Sequence, residues 1–562
     1  MYEKYADDLN SINVFPAGKT FRVTFDPVLN CLRIMSRSRD QLDELREVFS
    51  VENKSAFFSQ QYGYRGKSRL YNVNQFGFFQ SGLIYDLLEW IKTQYGSLDC
   101  VAISRQCASY MSDVLKPLKV TLSSGRFELS NISDDTGVNA DIAKRIAAGG
   151  ADSSRLHELK MRPYQSEAIE ALLFSGYGRG LIEIPTAGGK SFIISNFIWN
   201  LLKHVNAEYK TLILVPNVQL VEQFYGDMLE YGFRKSDLAK FEGGMSKREQ
   251  RENDVSTAKV IIANRQFLFK NEKRLPPVDV LVCDEVHSCL AESSTALISR
   301  VPAKIRVGCS GTIPTDRYQR NQLVGMFGKI VYKEDITTLQ GEGFISKLRI
   351  TSVDVFDRQV DSDRNLLFHV DSTRKYVADD PEGCDIRFDD AVKAEHEYVA
   401  KWYKDIYSPV MEHVSKLDGN TLVLFDKIDI GRSLYEYFAE KYPDIRAYYN
   451  DGSTDVKERE NTRSGLEESD GNVLFANVQI LSTGVSIKRL HNLVFCFSSK
   501  STVRIIQSCG RALRLHGDKE YANLYDVHFN YKYSSRHYKE RLKLYKEYYN
   551  KSKPDDIIRM TV

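Results

Sequence analysis

No apolar run in this chain approaches the ~18 residues that span a bilayer, so no membrane segment is expected. The opening residues, MYEKYADDLN, lack a basic stretch leading into an apolar one, which argues against a secretory leader. No two of the nine cysteines form a CxxC pair. An odd, scattered set without an export signal predicts reduced thiols and a cytoplasmic setting. None of the ten histidines stands in metal-ligand spacing. An excess of one charge is also missing: 77 Lys and Arg oppose 75 Asp and Glu, a net of +2. Read by bulk charge alone, that near-balance argues against a nucleic-acid binder.

What is present is ordinary for a globular chain. Hydrophobic residues make up 42% and charged residues 27%, which excludes wholesale disorder. At 562 residues the length implies about three or four domains. The charge is unevenly placed: residues 351–400 hold 6 basic and 13 acidic residues, whereas residues 501–562 hold 13 and 7. An acidic block thus offsets a basic C-terminal end, and the sum conceals both.

Short, nearly continuous apolar runs begin near Leu181: GLIEIP, TLILVP, KVIIAN, DVLVCDE and IRVGCSGT. Each reads as a strand covered on both faces, so a parallel sheet flanked by helices is predicted. A second set follows residue 400, with NTLVLFD, IRAYYN, NVLFAN, HNLVFCF and NLYDVH in similar order, which predicts a second, similar α/β domain. Between the sets, the Asp-rich residues 352–392 read as a solvated excursion. The first ~130 residues alternate differently and predict a small α+β domain. SRHYKERLKLYKEYYNKSK, near the C-terminal end, reads as a basic helix.

The chemistry concentrates in two places. Ile184-Pro-Thr-Ala-Gly-Gly-Lys-Ser191 follows a strand and opens a helical run. Pro185, Thr186, Ala187, Gly188 and Gly189 form a small-residue loop that lets backbone N–H groups approach a phosphate chain. Lys190 would reach the β- and γ-phosphates of ATP, and Ser191 would ligate Mg²⁺. Ile184 breaks the strict GxxxxGK[ST] pattern, and Ala187 stands where such loops often carry glycine. The second place is Asp284-Glu285-Val-His287, directly after VLVC and so at the C-terminal end of a strand, where α/β sheets bind ligands. Asp284 can hold Mg²⁺, and Glu285 can orient or deprotonate an attacking water. Alone, either segment could be a turn or a solvated strand end; together they predict ATP hydrolysis.

With these motifs in this order, the chain resembles the superfamily 2 helicases and translocases of the DExH type over roughly residues 160–515. The resemblance implies two tandem RecA-like parallel-sheet motor domains, 156–345 and 346–530, after an N-terminal domain (1–130) and a linker (131–155). A basic helical tail (531–562) completes the chain. Met161-Arg-Pro-Tyr164-Gln165 is similar to the adenine-recognising start of the motor, with Gln165 on the base. Leu214-Val-Pro216-Asn217 and Asn264-Arg-Gln266 resemble segments that touch the nucleic-acid backbone, and Ser310-Gly-Thr312 resembles the segment coupling ATP to that track. His287 would couple the acidic motif to the domain interface. In the second motor domain, Leu424-Phe-Asp-Lys427 and the loop holding Gly452 and Ser453 resemble strand-gripping segments. Thr483 would contact phosphate, with Gly484 keeping its loop tight. Gln507-Ser-Cys-Gly-Arg511-Ala-Leu-Arg514 resembles QxxGRxxR, which makes Arg511 and Arg514 candidate arginine fingers.

STGVSIKRLHNLVF, QSCGRALRLHG and the basic, Tyr-rich end further resemble the UvsW-type phage recombination helicases. That likeness implies a DNA enzyme that unwinds or branch-migrates branched intermediates in replication, recombination and repair, located in the host cytoplasm if phage-encoded. It implies a monomer on DNA, with replication or recombination proteins as candidate partners. Arg65, Lys67 and Arg69, around Gly66 in the N-terminal domain, and the basic end are candidate DNA contacts, interleaved with Tyr for stacking. The alternatives are an RNA or RNA–DNA hybrid helicase, or the motor subunit of a restriction or nuclease system.

Overall fold

The computed structural model describes residues 6–7, 15, 17–26, 31–52, 69–108, 161–175, 178–243, 253–271, 275–356, 399, 401, 403–478, 487, 489–497, 502–515, 519, 521–549 and 558–561. These fall into two compact units, Met1–Ile184 with Gly189–Lys333, and Pro185–Gly188 with Glu334–Val562.

The first unit opens with β1 (Ala6–Asp7), β2 (Phe21–Asp26), β3 (Cys31–Ser36), α1 (Arg39–Val48), β4 (Ser50–Glu52), β5 (Arg69–Tyr71), β6 (Phe78–Phe79), α2 (Ile84–Tyr95) and β7 (Val101–Ser104). Five strands form a mixed sheet in the order β1-β7-β2-β3-β6, and β4 pairs with β5 apart from it. Helix α2 buries Ile84, Leu87, Leu88 and Ile91, one stripe at helical spacing, and stops at Gly96 with φ 76°. Arg65, Gly66 and Lys67 lie outside the described residues.

The first motor fold follows: α3 (Pro163–Glu170), β8 (Arg179–Glu183), α4 (Lys190–His204), β9 (Thr211–Val215), α5 (Val218–Glu230), β10 (Leu238–Phe241), β11 (Val260–Asn264), α6 (Arg265–Asn271), β12 (Val280–Cys283), α7 (Glu292–Arg300), β13 (Ile305–Ser310), α8 (Arg317–Phe327) and β14 (Ile330–Lys333). Its seven strands are all parallel, in the order β10-β11-β9-β12-β13-β8-β14. Every residue of β9, β11, β12 and β13 is buried, the signature of strands covered on both faces. The N-terminal domain docks on α8 and shares one apolar core with this sheet. A Cβ on Gly82 would lie 2.1 Å from the Val324 carbonyl oxygen, so the contact requires glycine. Gln80 Nε2 donates to Ser299 Oγ at 2.7 Å, and Lys329 pairs with Asp86 at 3.0 Å.

The second unit holds α9 (Ile336–Gly341), β15 (Lys347–Val355), α10 (Tyr403–Val414), β16 (Thr421–Phe425), α11 (Ile428–Lys441), β17 (Ala447–Asn450), α12 (Val456–Glu468), β18 (Val473–Asn477), β19 (Asn492–Phe495), α13 (Thr502–Ala512), β20 (Tyr521–Phe529), α14 (Lys532–Leu544) and β21 (Ile558–Thr561). Its parallel sheet runs β17-β18-β16-β19-β20-β15-β21. Numbered within each sheet by chain order, both sheets read 3-4-2-5-6-1-7. The duplication suspected from the apolar runs is therefore one topology used twice.

Two expectations change. The acidic excursion expected from residue 352 starts later: Ser352–Val355 continue β15, paired with β20, and Ser352, Val353 and Val355 are buried; residues 357–398 lie outside the described chain. The basic C-terminal segment also does more than present charge. Helix α14 and the turn after it bury Tyr538, Arg541, Tyr545 and Tyr549, and β21 adds the seventh strand of the sheet by pairing with β15. No described helix is long and apolar enough to cross a membrane.

Candidate nucleotide site and its nucleic-acid track

Because the seven strands of the first motor fold are parallel, their C-terminal ends share one edge. Strand β8 leads to the phosphate loop and Lys190, β13 ends at Ser310, β12 delivers Asp284 and Glu285, β9 leads to Pro216 and Asn217, and β11 ends at Asn264. The registers Ser310↔Glu183, Cys283↔Gly308 and Asn264↔Val215 set these ends level. Residues a hundred positions apart thus meet on one rim.

On that rim the Lys190 ammonium lies 3.5 Å from Glu285 Oε1. Burial works against the charge of Lys190, but Glu285 and Asp284 outweigh it and raise its pKa, so it stays protonated. Asp284 is 8% exposed, and its Oδ1 has no hydrogen-bond partner among the described residues. Burial first, and the Glu285 charge second, push its pKa well above the usual carboxylate range. A buried carboxylate with an orphaned oxygen is poised for a hard cation. The residues present therefore fit Mg²⁺, with Asp284 as one candidate ligand and Ser191, in the first turn of α4, as a second. In its present rotamer Ser191 Oγ meets the Tyr231 hydroxyl at 3.1 Å.

Glu285 adopts φ 49° and ψ 52°, a left-handed conformation that a non-glycine residue holds only under constraint. Ser288 supplies part of it: its N–H and its hydroxyl both donate to the Glu285 carbonyl oxygen, at 2.9 and 2.6 Å. His287 Nδ1 lies 2.7 Å from Ser310 Oγ and 3.3 Å from Glu285 Oε2. The Ser310 hydroxyl already donates to the Thr312 carbonyl oxygen at 2.7 Å, so it must accept from His287, which assigns the proton to Nδ1. Burial lowers the His287 pKa, and the ring is neutral. Both of these His287 contacts lie within the same unit.

Gly189 sits at φ 76°, and a Cβ there would lie 2.6 Å from Gln165 Nε2. Gln165 is buried, and its Oε1 accepts from the Arg162 N–H at 2.9 Å, which caps the start of α3. Tyr164 is buried beside it. Ala187 adopts φ 70°, a glycine-like conformation, and Thr186 Oγ1 is a second buried oxygen with no partner among the described residues.

The track residues divide. Asn217 caps α5 by accepting the Leu220 N–H at 2.9 Å. Asn264 is buried, accepts the Phe267 N–H at 3.0 Å and donates to the Pro216 carbonyl oxygen at 3.3 Å. Gln266 is exposed at the start of α6. Arg69 spends its guanidinium on Glu47, at 2.8 Å, and on Ser50. In the second unit, Gly452 and Ser453 are exposed on a loop that buried Asp451 organises through the Ser453 N–H at 2.8 Å. Gln507 and Arg511 lie on α13, with side chains outside the described set, and Thr483 and Gly484 fall outside the described residues. Arg514 is half-buried, and its carbonyl oxygen accepts from Ser346 Oγ at 3.3 Å. Arg265 and Ser288, which turn out to hold the Glu285 turn, carried no signal beyond their places beside Gln266 and His287.

Two parallel-sheet units of one topology, with Lys190, Asp284 and Glu285 on the rim of the first, make the chain similar to the superfamily 2 helicases, a class of ATP-hydrolysing motors. Residues 158–315 match the family described as "Type III restriction enzyme, res subunit", and residues 406–516 match "Helicase conserved C-terminal domain". Within that class its similarity extends to the UvsW type. The "ATP-dependent DNA helicase uvsW" of Enterobacteria phage T4 is 27% identical over 367 residues, 65% of this chain and 67% of that protein. The "Putative ATP-dependent helicase IRC3" of Saccharomyces cerevisiae is 26% identical over 381 residues, 65% of this chain and 51% of its own length. Among solved structures, the ATP-dependent Type ISP restriction-modification enzyme LlaBIII bound to DNA shares the fold at TM-score 0.50 and 16% identity, over 72% of this chain and 31% of that one.

Proposed function

We propose that this chain is a DNA translocase that uses ATP hydrolysis to unwind or branch-migrate branched DNA. The observation that carries the reading is the pairing of Lys190 with Glu285 beside the orphaned Asp284 oxygen. Lys190 binds the β- and γ-phosphates; Glu285 orients water and takes its proton as the water oxygen attacks the γ-phosphorus and the bond to the ADP oxygen breaks. Asp284 and Ser191 would hold Mg²⁺, which neutralises phosphate charge when bound. Arg511 and Arg514 act as the fingers that stabilise that charge. Pro216, Asn217, Gln266, Gly452, Ser453 and Thr483 contact the phosphate backbone, so the enzyme selects structure rather than sequence. DNA is favoured over RNA by the UvsW-type likeness.

The test compares the full chain with Glu285→Gln and Lys190→Ala on forks, Holliday junctions, displacement loops and RNA hybrids. ATP turnover falls about 10²- to 10⁴-fold in Glu285→Gln, the size of a lost general base, while DNA binding persists. Wild-type unwinding is greatest on branched DNA. Retained turnover refutes the site; preference for the RNA hybrid refutes the substrate.

A further inference from the structure

Arg265 lies in a place where a guanidinium is uncommon. It opens α6 at the end of β11, is 8% exposed, and stands between Asn264, hydrogen-bonded to the Pro216 carbonyl, and exposed Gln266. Its side chain turns away from that surface. Nη1 lies 2.7 Å from Cys289 Sγ and Nη2 lies 2.6 Å from Ser288 Oγ. Ser288 then passes the contact on: its hydroxyl accepts from Arg265 and donates to the Glu285 carbonyl oxygen at 2.6 Å. A hydroxyl that accepts from a cation donates more strongly, because the two bonds polarise one another. The receiving residue is the one held in a left-handed conformation.

We propose that Arg265 is a positioning residue through which nucleic acid on the β11–α6 corner controls the conformation of Glu285. The inference rests on the proposed motor function and deepens it by naming how the track and the hydrolytic residue communicate within the first unit. A strand seated on Pro216, Asn217 and Gln266 fixes the backbone carrying Arg265; the guanidinium then holds Ser288, and Ser288 holds Glu285 in its constrained turn. The strand raises the share of time that Glu285 spends in the turn seen here, against relaxation toward an ordinary backbone that points away from the water it must orient. The turn is a two-state element that both sites bias. Cys289 reinforces the anchor: its thiol is held low by the hydrogen bond from Cys283, against burial, with Arg265 adding to the effect.

The experiment measures ATP turnover of the full chain with and without a forked duplex, alongside duplex affinity by fluorescence anisotropy. Arg265→Met, Arg265→Lys and Ser288→Ala are compared with wild type. Arg265→Met loses roughly 5- to 150-fold of the DNA stimulation in kcat, the span of ordinary coupling between sites. Its KM for ATP and duplex affinity stay near wild type, and its unstimulated rate falls less than its stimulated rate. Arg265→Lys recovers part of the loss, since an ammonium reaches one partner but not both. Ser288→Ala removes one exposed hydroxyl, avoids a folding defect, and reproduces the loss. Full stimulation in Arg265→Met or Ser288→Ala overturns the inference, as does a loss of duplex affinity matching the loss of rate. If wild type itself is not stimulated by DNA, the proposed function fails instead.

Discussion

Arg541 and Asp526 form an ion pair in the interior of the second unit, with exposures of 1% and 0%. The guanidinium donates through Nη2 to Oδ1 at 2.7 Å and through Nε to Oδ2 at 2.9 Å, and the Tyr545 hydroxyl donates to Oδ2 at 2.7 Å. Burial opposes the charge of Arg541, but Asp526 overrides it and raises its pKa. Arg541→Met fills the space and leaves a fully buried carboxylate with Tyr545 as its remaining side-chain donor among these contacts. Breaking such a pair on one side costs about 3–5 kcal/mol, whereas replacing both partners with apolar groups is near neutral. At 1.4 kcal/mol per tenfold, hydrogen-exchange protection of the β20 amides should fall roughly 10²- to 10³-fold or more in Arg541→Met. Arg541→Met with Asp526→Leu should regain most of it. Exchange reports on β20 alone and does not need the whole chain to unfold in one step. Unchanged protection in the single variant, or a double variant no better than the single, would refute the account.

Lys519 donates to the Leu490 and Ala512 carbonyl oxygens, and burial, aided by Arg514, lowers its pKa from 10.5 to about 8. The folded chain thus binds fewer protons than the unfolded chain between those values, so stability gains with rising pH across that window. The wild-type minus Lys519→Met stability difference, followed from pH 7.5 to 10, should grow in favour of wild type; a flat difference contradicts the assignment. At φ 70°, Ala187→Val should cost about 1–2 kcal/mol, the penalty for a left-handed residue with a bulkier side chain, and weaken ATP binding, while Ala187→Gly should bind ATP at least as well as wild type. Equal ATP affinity in Ala187→Val and wild type would exclude strain at this position.

The elements legible in the sequence are those buried on both faces. VIIAN and VLVC announce β11 and β12 because every residue is apolar. The edge strands β10, β14 and β21 stayed hidden; Ile330–Lys333 are partly exposed and carry no pattern. The phosphate loop and the acidic motif were readable because their chemistry needs those residue types in sequence order. The left-handed turn at Glu285 was not, since nothing in DEVH marks its backbone. Arg265 meets Ser288 across 23 positions, and Arg541 meets Asp526 across 15, so neither partner is visible from local spacing. A basic helix with interleaved Tyr reads the same whether its arginine faces water or a buried aspartate.

The shared 3-4-2-5-6-1-7 order has a consequence for synthesis. Strand β14 lets the first sheet close once residue 333 has emerged from the ribosome. The second sheet opens with β15, whose two neighbours are β20 and β21, so Lys347–Val355 must wait about 170 to 210 residues for their partners. Until then β15 presents unpaired edges on both sides. The second sheet therefore cannot be completed until Ile558–Thr561 have emerged. A chaperone that shelters one segment of this polypeptide would find it there.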